Sequence, residues 1–538
     1  MGVPGMSPTS PTSSGKKSRQ ILAEYDANEL IFAVVGHVGS GPGKVANSLC
    51  EILRSASGGP YDVVTIKASE KIREWANTNG REVPSHEKTL KNMRQLQDLG
   101  DQMRETDQSA VARALIKEIR LVRARKQNLK VIGDEPVKPD GKKRAYILDS
   151  IRHPAEVHLL RNVYGSSFTL IGVVCKESKC LERVRDKYSD AGTEAAKQFM
   201  SRDAKDTIKH GQRVADALYL SDYFVDNSVD RVQGGKSPKE WVVNEDLNRL
   251  VKIITHSNII RPSISETAMF EAHAAALRSA CLSRQVGACL VDANGNVVAL
   301  GTNEVPKAGG GLYGESLTEE KPDGRCAYAD RPQCSNTAEQ NSIIGKIIGE
   351  LRDNFPELKS KPEDSIRTLL RDSPIGSLLE FSRAVHAEMD ALLTAGRKGV
   401  STIGTRMWVT TFPCHYCARH IVSAGVDEVQ YIEPYQKSKA LDLHEDSVTL
   451  EHTPDWIPPS EVKKEEDKGK KKDPAKVLFR HFTGVAPNMY RRAFFKDRDL
   501  KHDQTGVLTI GEAAWGSPWH LKRISYVDIE AELARERV

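Results

Sequence analysis

HAEMDALLTAGRKGVSTIGTRMWVTTFPCHYC, residues 386–417, decides how this chain is read. His386 heads a stretch with helical apolar spacing, Met407 to Thr410 reads as a short strand, and a second helix starts at Cys414. Cys414 and Cys417, three apart at a helix start, lie on one face, and the amino end of that helix favours their thiolate forms. His386 supplies a third ligand, so a bound Zn2+ keeps its fourth tetrahedral position open for water. Zinc lowers the pKa of such a water to about 7. Glu388, two residues past the histidine, is not a ligand; it is placed to move that water's proton. The competing reading is a closed structural zinc whose fourth ligand lies elsewhere in the chain.

H-x-E followed by P-C-x-x-C is an established signature of zinc-dependent nucleobase deaminases, so the assignment is a match to a known pattern. From about Thr267 to His444 the chain resembles deoxycytidylate deaminases, through SRQVGACLV at 283, GTNEVP at 301, VHAEMDAL at 385 and WVTTFPCHYCARHIVSAGVDEVQYIEPYQKSKALDLHEDS at 408. The stretch IEPYQKSKALDLHEDS separates it from the short tRNA adenosine deaminases, which share the zinc motif. The resemblance implies that the substrate is a deoxycytidine nucleotide and that Asn303 contacts the sugar hydroxyl; a turn asparagine closing a strand is the alternative for Asn303.

Working outward, the second half opens with an expected helix from about Glu266 to Arg284 and a strand from Val286 to Val291. Asp292 to Asn296 contains Asn-Gly and predicts a tight hairpin turn, with Val297 to Gly301 as the return strand. Residues 305 to 380 read as an insertion with short helical patterns around Asn341 to Arg352, and Val429 to Ile432 is a further strand. Cys326 and Cys334, inside that insertion, are spaced too far apart for a short ligand hairpin and are expected to be free buried thiols. The run EVKKEEDKGKKKD at 461 to 473 is expected to be a solvated loop. In the tail, Arg480, Arg491 and Arg492 are candidates for meeting substrate phosphates, with ordinary basic surface as the default.

The first half begins, after a polar segment at 1–27 expected to be flexible, with the apolar run Ile31 to Val35. A Gly-rich loop follows, VVGHVGSGPGKVANSL at 34 to 49, and then a helix from Val45 to Leu53. Strand, loop and helix in this order suit a loop whose amides cradle phosphates, and Gly36, Gly39, Ser40, Gly41, Gly43 and Lys44 are its candidate nucleotide-binding residues. The loop departs from the P-loop pattern: Gly39 and Gly43 stand one residue too close, Pro42 lacks an amide donor, and Val45 replaces the hydroxyl that holds magnesium. Asp149, ending the strand AYILD, and DSIRHPAEV after it resemble nucleotide kinases of the P-loop class. Binding of a regulatory nucleotide without phosphoryl transfer is expected, against a fold relic that only packs. Further strands at Tyr61 to Ile66, Ala145 to Leu148, Phe168 to Val174 and Tyr223 to Val225 predict a parallel sheet. The charged span Glu87 to Lys130 is expected to be helical and to protrude as a lid or arm, and a helix from Lys239 to His256 closes this half.

The expected architecture is therefore α/β in two domains: a P-loop-kinase-like parallel sheet at 28–258 and a cytidine-deaminase-like three-layer α/β/α domain at 264–530. A kinase-like half before a deaminase-like half, with FTGVAPNMYRRAFF at 482, resembles the bacterial antiphage deoxycytidine nucleotide deaminases of the AvcD type. That resemblance implies action on dCTP and dCMP, antiviral defence by draining the nucleotide pool, a homo-oligomer, and an inhibitory RNA or other regulator as partner. A net charge of +5 over 538 residues and 6% aromatic content give no footprint for gripping a polynucleotide, which weighs against a single-stranded polynucleotide deaminase. The remaining rival is a nucleotide-sensing scaffold with a structural zinc, against which the intact Glu388 speaks. Nine scattered Cys, no signal-peptide core and no apolar run of membrane length lead to a cytoplasmic expectation without a membrane partner.

Overall fold

A computed structural model describes residues 27–56, 59–130, 135–188, 190–206, 208, 210–229, 241–314, 323–328, 332–378, 380–435, 438–453, 456–466, 475–496, 498–510, 526–527 and 530–531. The segment expected to be flexible, 1–27, lies outside these except for Ala27. The chain divides into two units, one of Met1–Ile260 with Arg492–Val538 and one of Arg261–Arg491. The sequence reading ran the second domain to 530; the division instead groups the residues beyond Arg491 with the first unit.

In the first unit the chain runs β1 (Glu29–Gly36), α1 (Pro42–Arg54), β2 (Asp62–Lys67), α2 (Ala68–Thr78), α3 (Leu90–Thr106), α4 (Ala110–Lys126), β3 (Arg144–Ile151), α5 (Pro154–Tyr164), β4 (Phe168–Val174), α6 (Glu177–Lys187), α7 (Thr193–Ala204), α8 (Val214–Tyr219), β5 (Tyr223–Asp226) and α9 (Val242–Thr255). Its strands lie in the order β5-β4-β1-β3-β2, all parallel. Every residue of β1 and β4 is buried, as a parallel sheet covered on both faces requires. The chain leaves β1 toward β2 and leaves β3 in the opposite direction toward β4. The crevice beyond the carboxyl ends of β1 and β3 is thus a topological switch point, the place where open α/β sheets bind ligands.

The charged span after residue 87 corrects the expectation of a protruding arm. It forms two helices, α3 and α4, which bury Leu96, Leu99, Met103, Leu115, Ile116 and Ile119 against the unit. Their arginines go inside as well, because each meets a carboxylate there: Arg104 with Glu156 at 2.8 Å and Arg123 with Glu29 at 2.7 Å, all four side chains almost fully buried.

The second unit runs α10 (Ile264–Ala276), β6 (Gly287–Val291), β7 (Val297–Thr302), α11 (Ser335–Asn354), α12 (Glu363–Asp372), α13 (Ala387–Arg397), β8 (Arg406–Thr411), α14 (His415–Ser423), β9 (Glu428–Glu433), α15 (Ala440–Leu443), β10 (Val448–Thr449), α16 (Pro459–Glu466) and β11 (Val477–His481). The strand order is β10-β11-β9-β8-β6-β7, with β6 antiparallel to both β7 and β8 and the remaining pairs parallel. The expected hairpin is present, its turn pinned by Asp292, which accepts from the backbone of Asn294 and Asn296, and by Gly295 at φ 87°. Helix α10 starts on a capping box between Ser263 and Glu266 and ends eight residues short of the expected Arg284. Beyond Ala276 the apolar residues Leu277 and Leu282 are exposed, so apolar spacing there does not report a buried face. The expected loop at 461 begins inside α16; residues 467–474 lie outside the described ones.

Two glycines set the layers. A Cβ on Gly287 would stand 1.9 Å from the Ala272 carbonyl of α10, and one on Gly301 would stand 2.0 Å from the Ala387 carbonyl of α13. Gly301 pairs with Ala288, so Gly287 and Gly301 point to opposite faces of the sheet. The result is α10 on one face and α13 on the other, the three-layer plan expected.

Candidate active site

His386 is the residue immediately before α13 and Cys414 the one before α14, so two helix heads aim at one point. The His386 Nδ1 lies 3.3 Å from the Cys414 Sγ and 3.3 Å from the Cys417 Sγ. Among the described residues these three form the group of ligand atoms able to hold a metal ion, all within 4.8 Å of one another. A tetrahedral zinc with nitrogen and sulfur at their usual distances separates such donors by about 3.5 Å. The cluster fits Zn2+ in donor type and in spacing. Glu388, in the first turn of α13, is buried beside it and outside the ligand group.

The electrostatics follow from this packing. Burial pushes the Glu388 carboxyl up to about 7, with the His386 ring opposing the rise. The hydrogen bonds from Cys417 and His386 bring the Cys414 thiol down to about 4, against its burial. The Cys417 thiol moves the other way, well above its usual range, because it donates to Cys414 and is desolvated. The His386 ring's own hydrogen bond to Cys414 raises it to about 9. A divalent cation between the three atoms would let both sulfurs ionise.

His386, Glu388 and Cys414 line a cavity of about 370 Å³, a size that suits a nucleotide-class ligand. Its walls come from Cys281 to Arg284 and Val286, from Cys326, Cys334, Ser335 and Asn336 within the insertion, from Ser382 to Ala384, and from Thr411, Phe412 and Tyr435. Ser283, Arg284, Val286, Thr411, Phe412 and Tyr435 lie in stretches that sequence reading singled out without giving them a role at the cavity, and no quoted stretch of the resemblance marks Cys281, Leu282, Ser335, Asn336 or Ser382 to Ala384. Cys281, Cys326 and Cys334 are free thiols; Cys326 is buried and Cys334 only partly so. Asn303 lines the cavity too, and its side chain donates to the Arg284 carbonyl and accepts from the Val286 amide, the closing role weighed as its alternative. Arg480 bonds Glu428 at 2.6 Å and Arg492 donates to the Ser166 carbonyl; neither they nor Arg491 line the cavity.

In the first unit the loop candidates come together between β1 and α1. Gly39 and Gly41 have φ of 88° and 81°, and a Cβ on Gly39 would stand 2.4 Å from the Cys180 carbonyl. Gly43 faces Asp149, whose carboxylate would lie 3.3 Å from a Cβ there, and a Cβ on Gly36 would stand 2.4 Å from the Ser40 hydroxyl. Ser40 is buried, and its carbonyl accepts from Asn227 at 2.6 Å. Lys44 is exposed, whereas Val45 is turned fully into the core.

Comparison with known proteins agrees with the site in the second unit. Residues 262–433 match the family model of the cytidine and deoxycytidylate deaminase zinc-binding region. The deoxycytidylate deaminase of Enterobacteria phage T2 is 27% identical over 179 residues, 32% of this chain and 82% of that protein. Its counterpart in phage T4 is 28% identical over 180 residues, 32% of this chain and 80% of that protein. A crystal structure of the dCMP deaminase of cyanophage S-TIM5 aligns with 34% of this chain and 94% of its own, at 21% identity and a TM-score of 0.20. No described helix is long and apolar enough to cross a membrane. Residues 262–433 of the second unit are thus similar to the cytidine and deoxycytidylate deaminase zinc-binding region, and they hold a His/Cys/Cys cluster that fits the metal.

Proposed function

We propose that this chain hydrolytically deaminates deoxycytidine nucleotides, dCTP, dCMP or both, releasing ammonia and the deoxyuridine nucleotide. One observation carries the reading: His386, Cys414 and Cys417 converge on one point, and His386, Cys414 and the buried Glu388 line a cavity of nucleotide size. The three ligands would hold zinc, which when bound supplies the Lewis acidity that brings a water's pKa toward 7. Glu388 accepts one proton from the attacking water and passes it to the ring nitrogen, then carries the second, from the hydroxyl formed at the ring carbon, to the amine, which leaves as ammonia as its bond to that carbon breaks. Asn303 keeps one amide hydrogen beyond its bond to Arg284, enough to donate to a sugar hydroxyl. The phage T2 and T4 relatives, named deoxycytidylate deaminases, support the choice of base and sugar. The test is product analysis after incubation with dCTP, dCMP, CMP and a cytosine-bearing oligonucleotide; turnover of the oligonucleotide alone would replace this reading with a polynucleotide deaminase.

For the first unit the reading is a P-loop-kinase-like domain that binds a nucleotide or another phosphate ligand through Gly36 to Lys44 and regulates the deaminase. A Gly-rich loop at a switch point supports it, and the buried Val45 weighs against phosphoryl transfer. Antiphage defence by depletion of dCTP, self-association and control by an inhibitory RNA or other regulator complete the reading and rest on family resemblance. Phage plating on cells expressing the wild type and a zinc-ligand variant tests the defence role.

A further inference from the structure

Cys175 follows β4, and Cys180 lies in α6 five residues later. Their thiols are near enough that each is the largest influence on the other's ionisation. The Arg183 guanidinium stands over the pair: one of its nitrogens reaches the Cys175 sulfur at 3.4 Å, the Asn227 carbonyl at 2.8 Å and the Gly39 carbonyl at 3.4 Å. Cys175 also donates to the Asn227 carbonyl at 3.4 Å, and the Asn227 side chain holds the Ser40 carbonyl. Gly39 in turn packs on the backbone of Cys180 so closely that no side chain would fit. Two neighbouring thiols, a guanidinium on one of them and three links to the Gly-rich loop form one connected cluster.

We infer that Cys175 and Cys180 are a reversible redox-modification site whose oxidation to a disulfide loosens the Gly36–Lys44 loop. Cys175 is the attacking sulfur: it is partly exposed, and the neighbouring Cys180 thiol and the Arg183 charge hold its thiol below the usual value, whereas Cys180 is buried and raised. With a peroxide as oxidant, the Cys175 thiolate attacks one oxygen, the O–O bond breaks and hydroxide leaves, giving a sulfenic acid. The Cys180 thiol then attacks that sulfur, its proton leaves with the displaced hydroxide as water, and the S–S bond forms. Two thiols lose two electrons and one peroxide becomes two waters. The disulfide removes the S–H that donates to Asn227 and draws the sulfur away from Arg183, so the groups holding Ser40 and Gly39 lose their anchor. This inference stands whether or not the loop takes a ligand.

The test uses the reduced full-length protein, one equivalent of hydrogen peroxide, peptide mapping without reductant, and hydrogen exchange of residues 36–44. The expected result is a Cys175–Cys180 link that dithiothreitol reverses, with faster exchange across the loop only in the oxidised form. Cys175→Ser and Cys180→Ser should each abolish both changes. Arg183→Ala should slow linkage by about threefold for each tenfold loss of thiolate, because the remaining thiolate is more nucleophilic, and Arg183→Lys should retain most of the rate. Two thiols left unlinked after the peroxide is consumed, or a link that leaves loop exchange unchanged, would overturn the inference.

Discussion

The backbone of Gly301 touches that of Ala387, since a Cβ on the glycine would stand only 2.0 Å from the alanine carbonyl. Ala387 lies between His386 and Glu388, so this contact between β7 and α13 sets the height of the metal ligand and of the proton-moving carboxylate at once. Gly301→Ala must push α13 off the sheet. It should cost about 1 to 3 kcal/mol of stability, as overpacking does, and lower both zinc content and turnover in protein that still folds. Thermal melting and elemental analysis of the variant check this together.

Removing a ligand separates the metal from the fold. The account expects about one zinc per chain, since three protein ligands and a water complete one site. Cys414→Ala and Cys417→Ala should each lose the metal and the activity, and metal-free wild type should regain activity when zinc is restored. Full deamination by metal-free protein would show that the cluster does something else.

The first unit is tied to the C-terminal segment by a buried ion pair. Arg123 meets Glu530 at 2.6 Å, both side chains fully buried, and Tyr164 donates to the same carboxylate at 2.6 Å. Glu530→Ala leaves part of the guanidinium and the tyrosine hydroxyl without a partner. The expected loss is roughly 3 kcal/mol, read as faster hydrogen exchange throughout α4 and α5 with the zinc content unchanged.

The same arginines show where sequence reading ran out. Helices α3 and α4 read as a charged arm because local pattern counts Arg104 and Arg123 as solvent-facing. Their partners Glu156, Glu29 and Glu530 stand 52, 94 and 407 positions away, and no window of sequence sees them. The cluster of His386, Cys414 and Cys417 was legible for the opposite reason: metal chemistry restricts the residue types, and the starts of two helices fix the spacing. The hairpin at Asp292 to Asn296 was legible too, because Asn294-Gly295 determines its own turn. The cavity walls at Cys281 to Arg284 and Cys326 to Asn336 were not, since tertiary packing alone brings them over the cluster.

Lys44 tests the first unit's reading. It is exposed beside a loop whose glycines carry positive φ, so Lys44→Ala should leave folding and zinc intact while weakening the binding of ATP, GTP or dCTP. If a nucleotide regulates the deaminase, the coupling should be about 1 to 3 kcal/mol, or roughly 5- to 150-fold in affinity. Calorimetry on the full-length protein measures it; unchanged binding in the variant removes Lys44 from the site.

Glu388 carries the central claim. The decisive measurement is the rate of conversion of dCTP and dCMP to their deoxyuridine products by wild type and Glu388→Ala, compared at equal zinc content. The account predicts that the variant keeps its zinc and its melting temperature while turnover falls by at least the roughly 100-fold expected for a lost general acid/base. A variant that deaminates like the wild type, or a wild type with one zinc per chain that converts neither nucleotide, would contradict it.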